Sequence, residues 1–224
     1  MSSREAVRGR IRSALADVPQ GTPSEDVAVE WQYGLRPAGA ADDTLGLFVE
    51  RVEDYRAEVS WVTPQELAAR VADALSDRGV TSAVLPAGVP GEWRAAVAAA
   101  GITVHADDPV LSHADLDGIG AVVTASRVGI AETGTIVLDH GPDQGRRALS
   151  LVPDLHVCVI RADQVVADVP EAVTRLQPSV DARQPLTWIS GPSATSDIEL
   201  DRVEGVHGPR TLRVLLVQGA GQDG

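Results

Sequence analysis

The feature that most constrains this chain is the alternation of short apolar runs with helix-spaced segments from about residue 80 onward. Ala83-Val84-Leu85, Ile102-Thr103-Val104, Ala121-Val122-Val123-Thr124, Ile136-Val137-Leu138, His156-Val157-Cys158-Val159-Ile160, Leu186-Thr187-Trp188-Ile189 and Leu212-Arg213-Val214-Leu215-Leu216-Val217 read as strands. Several are apolar without alternation, as required when both faces of a sheet are covered. Residues 93–99 and 169–176 have helical spacing. This pattern predicts an α/β domain: an open, mostly parallel sheet flanked by helices.

Upstream, Ser2 and Glu5 form a capping box ahead of Val7, Ile11, Ala14 and Leu15, which predicts an amphipathic N-terminal helix. Residues 17–43, rich in Pro, Gly and acids with Trp31 and Tyr33 as anchors, read as an irregular arm. The expected organisation is therefore an N-terminal helix and arm over 1–43, the α/β domain over 44–218 and a frayed tail over 219–224. At the start of the domain, Leu45, Phe48, Val52, Tyr55 and Val59 predict one helix. Thr63 as N-cap and Pro64 at the first helical position predict a second, running through Leu67, Val71 and Leu75 until Gly79. The tail Gly219-Ala220-Gly221-Gln222-Asp223-Gly224 matches G-x-G-x-x-G formally. Without a following helix to hold a pyrophosphate, it is not a dinucleotide site.

Charge and composition narrow the chemistry. A formal charge of −13 repels phosphate backbones and anionic membranes, so no nucleic-acid partner is expected. All 19 basic residues are Arg, which removes Schiff-base lysines and the P-loop lysine. Cys158 is the one cysteine, too few for a disulfide, a structural zinc or an iron–sulfur cluster. No cofactor is therefore expected in this chain. With neither a signal sequence nor a membrane span, the expected location is the cytoplasm.

Three polar segments stand out. Residues 126–138 read as a polar turn between two strands. There Gly134 permits a positive φ, Thr133 and Thr135 satisfy turn amides, and Glu132 projects from the sheet edge where α/β proteins bind ligands. A glutamate in such a turn also serves simply to cap backbone N–H groups. In Ser190-Gly191-Pro192-Ser193-Ala194-Thr195-Ser196-Asp197-Ile198-Glu199, Gly191 allows close backbone approach, and Ser193 and Thr195 offer hydroxyls. Leading from a strand into a short helix, the segment is either an anion site or a well-capped helix start. The turn Gly205-Val206-His207-Gly208-Pro209 places His207 as a proton carrier or as a backbone cap. Asp197, Glu199 and His207 match no established metal spacing, so no metal site is expected. Of the adjacent Arg146 and Arg147, at most one can face a site. His156 and Cys158 share a strand face, and a buried inert thiol beside a hydrogen-bonded histidine is the expected state.

Taken together, Ala131-Glu132-Thr133-Gly134-Thr135, Arg147 with Leu151-Val152-Pro153-Asp154-Leu155-His156, Gly191 through Glu199, and Gly205-Val206-His207-Gly208-Pro209 resemble, in order and spacing, the LUD domain family. The closest likeness is to its lactate utilization protein C branch, over roughly residues 44–217. The resemblance implies a fold similar to the sugar-phosphate isomerase and CoA-transferase superfamily, with a ligand site at strand ends. It also implies membership of a multi-part system that oxidises L-lactate to pyruvate, this chain being the clusterless accessory or substrate-handling subunit and a partner carrying the iron–sulfur cluster. The implied site holds Glu132 and His207 as catalytic candidates, with Thr133, Gly134, Thr135, Arg147, Gly191, Ser193, Thr195 and Asp197 binding a small organic acid or phosphorylated ligand. Family members often have Arg where this chain has Ala194, which hands any anion-binding role to Arg127, Arg146 or Arg147. Two other readings stay open: a free-standing isomerase or CoA-transferase-like enzyme with Glu132 as nucleophile or base, and a scaffold subunit without a ligand.

Overall fold

The computed structural model describes residues 3–16, 43–195, 203–204 and 208–219. The chain divides into two compact units, Met1–Leu35 and Arg36–Gly224. In the first, helix α1 (Ser3–Ala14) carries Glu5 in its first turn and Arg12 in its last, each on the favourable side of the helix dipole. The expected arm over 17–43 lies almost wholly outside the described residues.

The second unit is built from α2 (Thr44–Asp54), β1 (Glu58–Val62), α3 (Leu67–Ser76), β2 (Ser82–Val84), α4 (Gly91–Ala99), β3 (Thr103–His105), α5 (His113–Asp117) and β4 (Ala121–Thr124). There follow β5 (Val128–Ile130), β6 (Thr135–Leu138), β7 (Leu155–Arg161), β8 (Val165–Val166), α6 (Val169–Asp181), β9 (Thr187–Ile189), β10 (Ala194–Thr195), β11 (Val203–Glu204) and β12 (Thr211–Val217). A 3-10 turn at Arg147–Ser150 precedes β7.

Six strands form the expected parallel sheet, in the order β1-β12-β7-β4-β2-β3. Strand alternation sorts its side chains. Val157 and Val159 of β7, with Val123, Leu215 and Val217, pack under Val71 and Leu75 of α3 and Trp93 and Val97 of α4. Cys158 and Ile160 point the other way, and with Val214 and Leu216 they meet Phe48 and Val52 of α2 and Ile136 and Leu138 of β6. Both faces are thus buried, which is why β4 and most of β7 are apolar throughout.

A second sheet, which the sequence pattern did not reveal, has the order β8-β5-β6-β9. It lies between the large sheet and α6, whose Ala172 and Leu176 pack on Val128, Ile130 and Val137. The segment read as a polar turn over 126–138 is therefore mostly a buried antiparallel hairpin, in which Val128 pairs with Val137 and Ile130 with Thr135. The helix expected to include Val59 ends at Asp54: Arg56 takes φ 66, and Val59 is the second residue of strand β1. Thr63 is not the cap of α3, which begins at Leu67; the hydroxyl of Thr63 donates to Glu66 at 2.8 Å instead. Ala194–Thr195 is extended and pairs antiparallel with Val203–Glu204; the helix start expected at Ser196 falls on the next residues. Ser196 to Glu199 lie outside the described residues. Among the described residues, no helix is long and apolar enough to cross a membrane.

Candidate functional site

The hairpin turn after β5 is anchored by packing. The Glu132 N–H donates to the Ala167 carbonyl at 3.0 Å, and Gly134, at φ 58, sits so close to α2 that a Cβ would lie 2.6 Å from the Arg51 carbonyl carbon. From this turn a chain of hydroxyls runs outward: Thr133 donates to Thr135 at 2.8 Å, and Thr135 shares a hydrogen bond of 2.8 Å with Ser190. Ser190 leads into Gly191, which passes the backbone of Tyr55 at φ 90 where any side chain would collide. Two residues on, the Ser193 N–H donates to the Pro209 carbonyl at 2.8 Å. Segments more than fifty residues apart in sequence are thereby stitched into one surface.

That surface bounds a cavity of about 140 Å³ between the small sheet and the amino ends of β7 and β12. Leu151, His156, Gly191, Ser193, Gly208 and Pro209 line it, together with Ser150, Thr187 and Ser190. Three of the sequence motifs contribute lining residues, and the fourth reaches the rim through Thr135. Glu132 is exposed and lines no part of it. Asp197 and His207 lie outside the described residues; of Thr195 only the backbone is described.

The two adjacent arginines differ in their surroundings, and neither lines the cavity. Arg146 is held by Asp107 at 2.7 and 3.1 Å and by the Leu111 carbonyl at 2.6 Å, an arrangement that keeps the Asp107 carboxyl below its usual range. Arg127 pairs with Asp139 at 3.4 Å. Arg147 is exposed, with no ion pair among the described residues, and opens the turn whose last residue, Ser150, lines the cavity.

His156 is 1% exposed, and its Nε2 lies 2.8 Å from the Thr124 hydroxyl. Burial pushes its pKa down to about 4, so the ring is neutral, and among the described residues Nδ1 has no partner. Cys158, on the same strand face, is fully buried and pushed up to about 12 by that burial. A thiol so placed is neither a nucleophile nor a ligand. Native protein at about pH 8 is expected to resist iodoacetamide, while protein in urea labels at one site; rapid native labelling would contradict this burial.

Sequence reasoning missed His140 and Thr187. The His140 Nδ1 lies 2.9 Å from the Gly145 carbonyl and its Nε2 lies 2.8 Å from the Thr187 hydroxyl, across 47 residues. It also missed a cleft of about 570 Å³ at the carboxyl ends of β1, β12, β7 and β4, bordered by Trp93, Asp143, Arg161 and Gln164. Open α/β sheets commonly bind ligands at that edge. None of the candidate residues that are described lines it.

The sequence matches the LUD domain over residues 45–217. The chain belongs to the LUD domain family. Within the LUD family, it is 51% identical over 175 residues to the lactate utilization protein C of Deinococcus radiodurans, covering 78% of this chain and 80% of that protein. The lactate utilization protein C of Geobacillus thermodenitrificans is 24% identical over 97% of each chain. A crystal structure of a DUF162 family protein from Deinococcus radiodurans superposes with a TM-score of 0.67 at 45% identity, covering 79% of this chain and 97% of that one. All four candidate motifs lie inside the LUD match, whereas α1 lies before it.

Proposed function

We propose that this protein serves lactate utilization as a clusterless subunit that holds a small organic acid, while a partner chain carries the iron–sulfur cluster. The observation that supports this most is the convergence of the LUD motifs on one cavity. A cavity of about 140 Å³ suits a small hydroxy acid. Its lining of hydroxyls and a neutral imidazole supplies directional hydrogen bonds. The exposed Arg147, which opens the turn ending at the lining residue Ser150, is our candidate for the positive charge that a carboxylate needs. Glu132, outside this cavity, gives no support to a covalent glutamyl mechanism. Lactate oxidation releases two electrons, and one buried thiol at a pKa of about 12 is no carrier for them, hence the partner.

The test is a pull-down of tagged protein from lactate-grown cells, handled without oxygen. Co-purification of a second chain bearing iron and acid-labile sulfide is the expected result. Protein that emerges alone, with no iron in the eluate, overturns the subunit reading.

A further inference from the structure

The loop between β6 and the 3-10 turn is built to hold one imidazole. Gln144, 3% exposed, accepts from the backbone N–H groups of Asp139 at 2.7 Å and His140 at 3.1 Å. His140 itself takes φ 58, a left-handed conformation that disfavours any residue but glycine. Gly145, at φ 69, turns the chain where a Cβ would strike Leu149, bringing its carbonyl to the ring. A strained histidine pinned through both nitrogens is a positioned group, and its outer contact is a cavity-lining hydroxyl.

The partners set the proton positions. The Gly145 carbonyl can only accept, so Nδ1 carries the ring proton. In the neutral ring Nε2 is then bare, and the Thr187 hydroxyl must donate to it. Having committed its one proton, the hydroxyl of Thr187, a residue of the cavity lining, keeps only lone pairs for a ligand. His156, also in the lining, is 1% exposed, and its Nδ1 has no partner among the described residues.

We infer that this cavity reads the oxidation state of its ligand: Thr187, with its proton held by His140, accepts a hydrogen bond from the hydroxyl of a 2-hydroxy acid and has none to give the carbonyl of the matching 2-keto acid. This rests on the small-acid reading above and adds a preference within it. The keto acid would set one acceptor against another in a desolvated site, which binding sites reject strongly. Thr187 is the specificity residue and His140 the positioning residue.

The test is calorimetric titration of the full chain with L-lactate and with pyruvate at about pH 8. Wild type is expected to favour lactate by at least about tenfold. Thr187→Val, nearly isosteric, should abolish that preference and Thr187→Ser should retain it. His140→Phe frees the Thr187 proton to donate, so the ratio should fall to one or below; a merely structural role would weaken both acids equally. Should His140→Phe not fold, the Val and Ser pair at position 187 decides alone. Equal binding of both acids by wild type overturns the discrimination and leaves the small-acid site standing, whereas no binding of either overturns both.

Discussion

Gly134→Ala is expected to destabilise the fold by about 3 kcal/mol, read as a shift in the urea midpoint at unchanged slope. Two costs add. The backbone at φ 58 is left-handed, which costs an alanine roughly 1 kcal/mol. The new Cβ would then lie 2.6 and 2.7 Å from the carbonyl carbon and oxygen of Arg51, backbone atoms in the last turn of α2 that have no rotamer by which to withdraw. Overpacking of this kind costs about 1 to 3 kcal/mol. Gly79→Ala provides the control, since Gly79 has φ 65 with nothing within 4 Å and should show the conformational cost alone. If the two variants lose equal stability, the contact with α2 is not what this glycine provides, and a direct ligand role for the Glu-Thr-Gly-Thr turn regains ground.

The second large effect is acid lability caused by His156. In the unfolded chain this imidazole titrates near the ordinary value of about 6.5, while burial holds the folded value at about 4. Above the unfolded value both states are neutral and His156 contributes nothing to the pH dependence. As pH falls below it, the unfolded chain takes up a proton that the folded chain refuses, and stability drops by about 1.4 kcal/mol per unit. By pH 4 the loss is about 3 kcal/mol. His156→Gln removes the titration, so the stability gap between wild type and variant should shift by that amount between pH 7 and pH 4 in parallel urea titrations. A constant gap over that range would mean that the folded protein accommodates the charged ring.

The strands of the large sheet were legible because double-sided burial leaves a local mark, an unbroken apolar run such as Ala121 to Val123. Strand β1 was not, because Val59 follows Tyr55 by four residues and satisfies helical spacing as well as strand alternation. The break between them is made at Arg56, an arginine at positive φ, where no glycine announces it. Strand β5 has three residues, one of them Gly129, whose missing side chain makes room for Ile160 and Phe48. So short a run carries too little pattern to be told from a turn. At the site, the motifs could be recognised one by one, but their meeting could not. The contacts that assemble the cavity, Thr135 with Ser190 and His140 with Thr187, span 55 and 47 residues and depend on how the small sheet docks. His140 escaped notice because a lone histidine in a Gly-Pro loop looks the same whether or not its ring is held.

The strand order has a consequence for synthesis. In the six-stranded sheet β1 pairs with β12 and with no other strand, and β12 also separates β1 from β7. While the ribosome is still translating residue 200, β12 does not yet exist, so the edge of β7 that it will cover is unpaired and β1 lacks the neighbour it has in the finished sheet. Parallel pairing of this kind brings no reward until β12 has emerged. Strand β1 therefore waits for its partner while residues 63–210 are made, and chaperones that shield exposed β-edges have their opportunity in that interval.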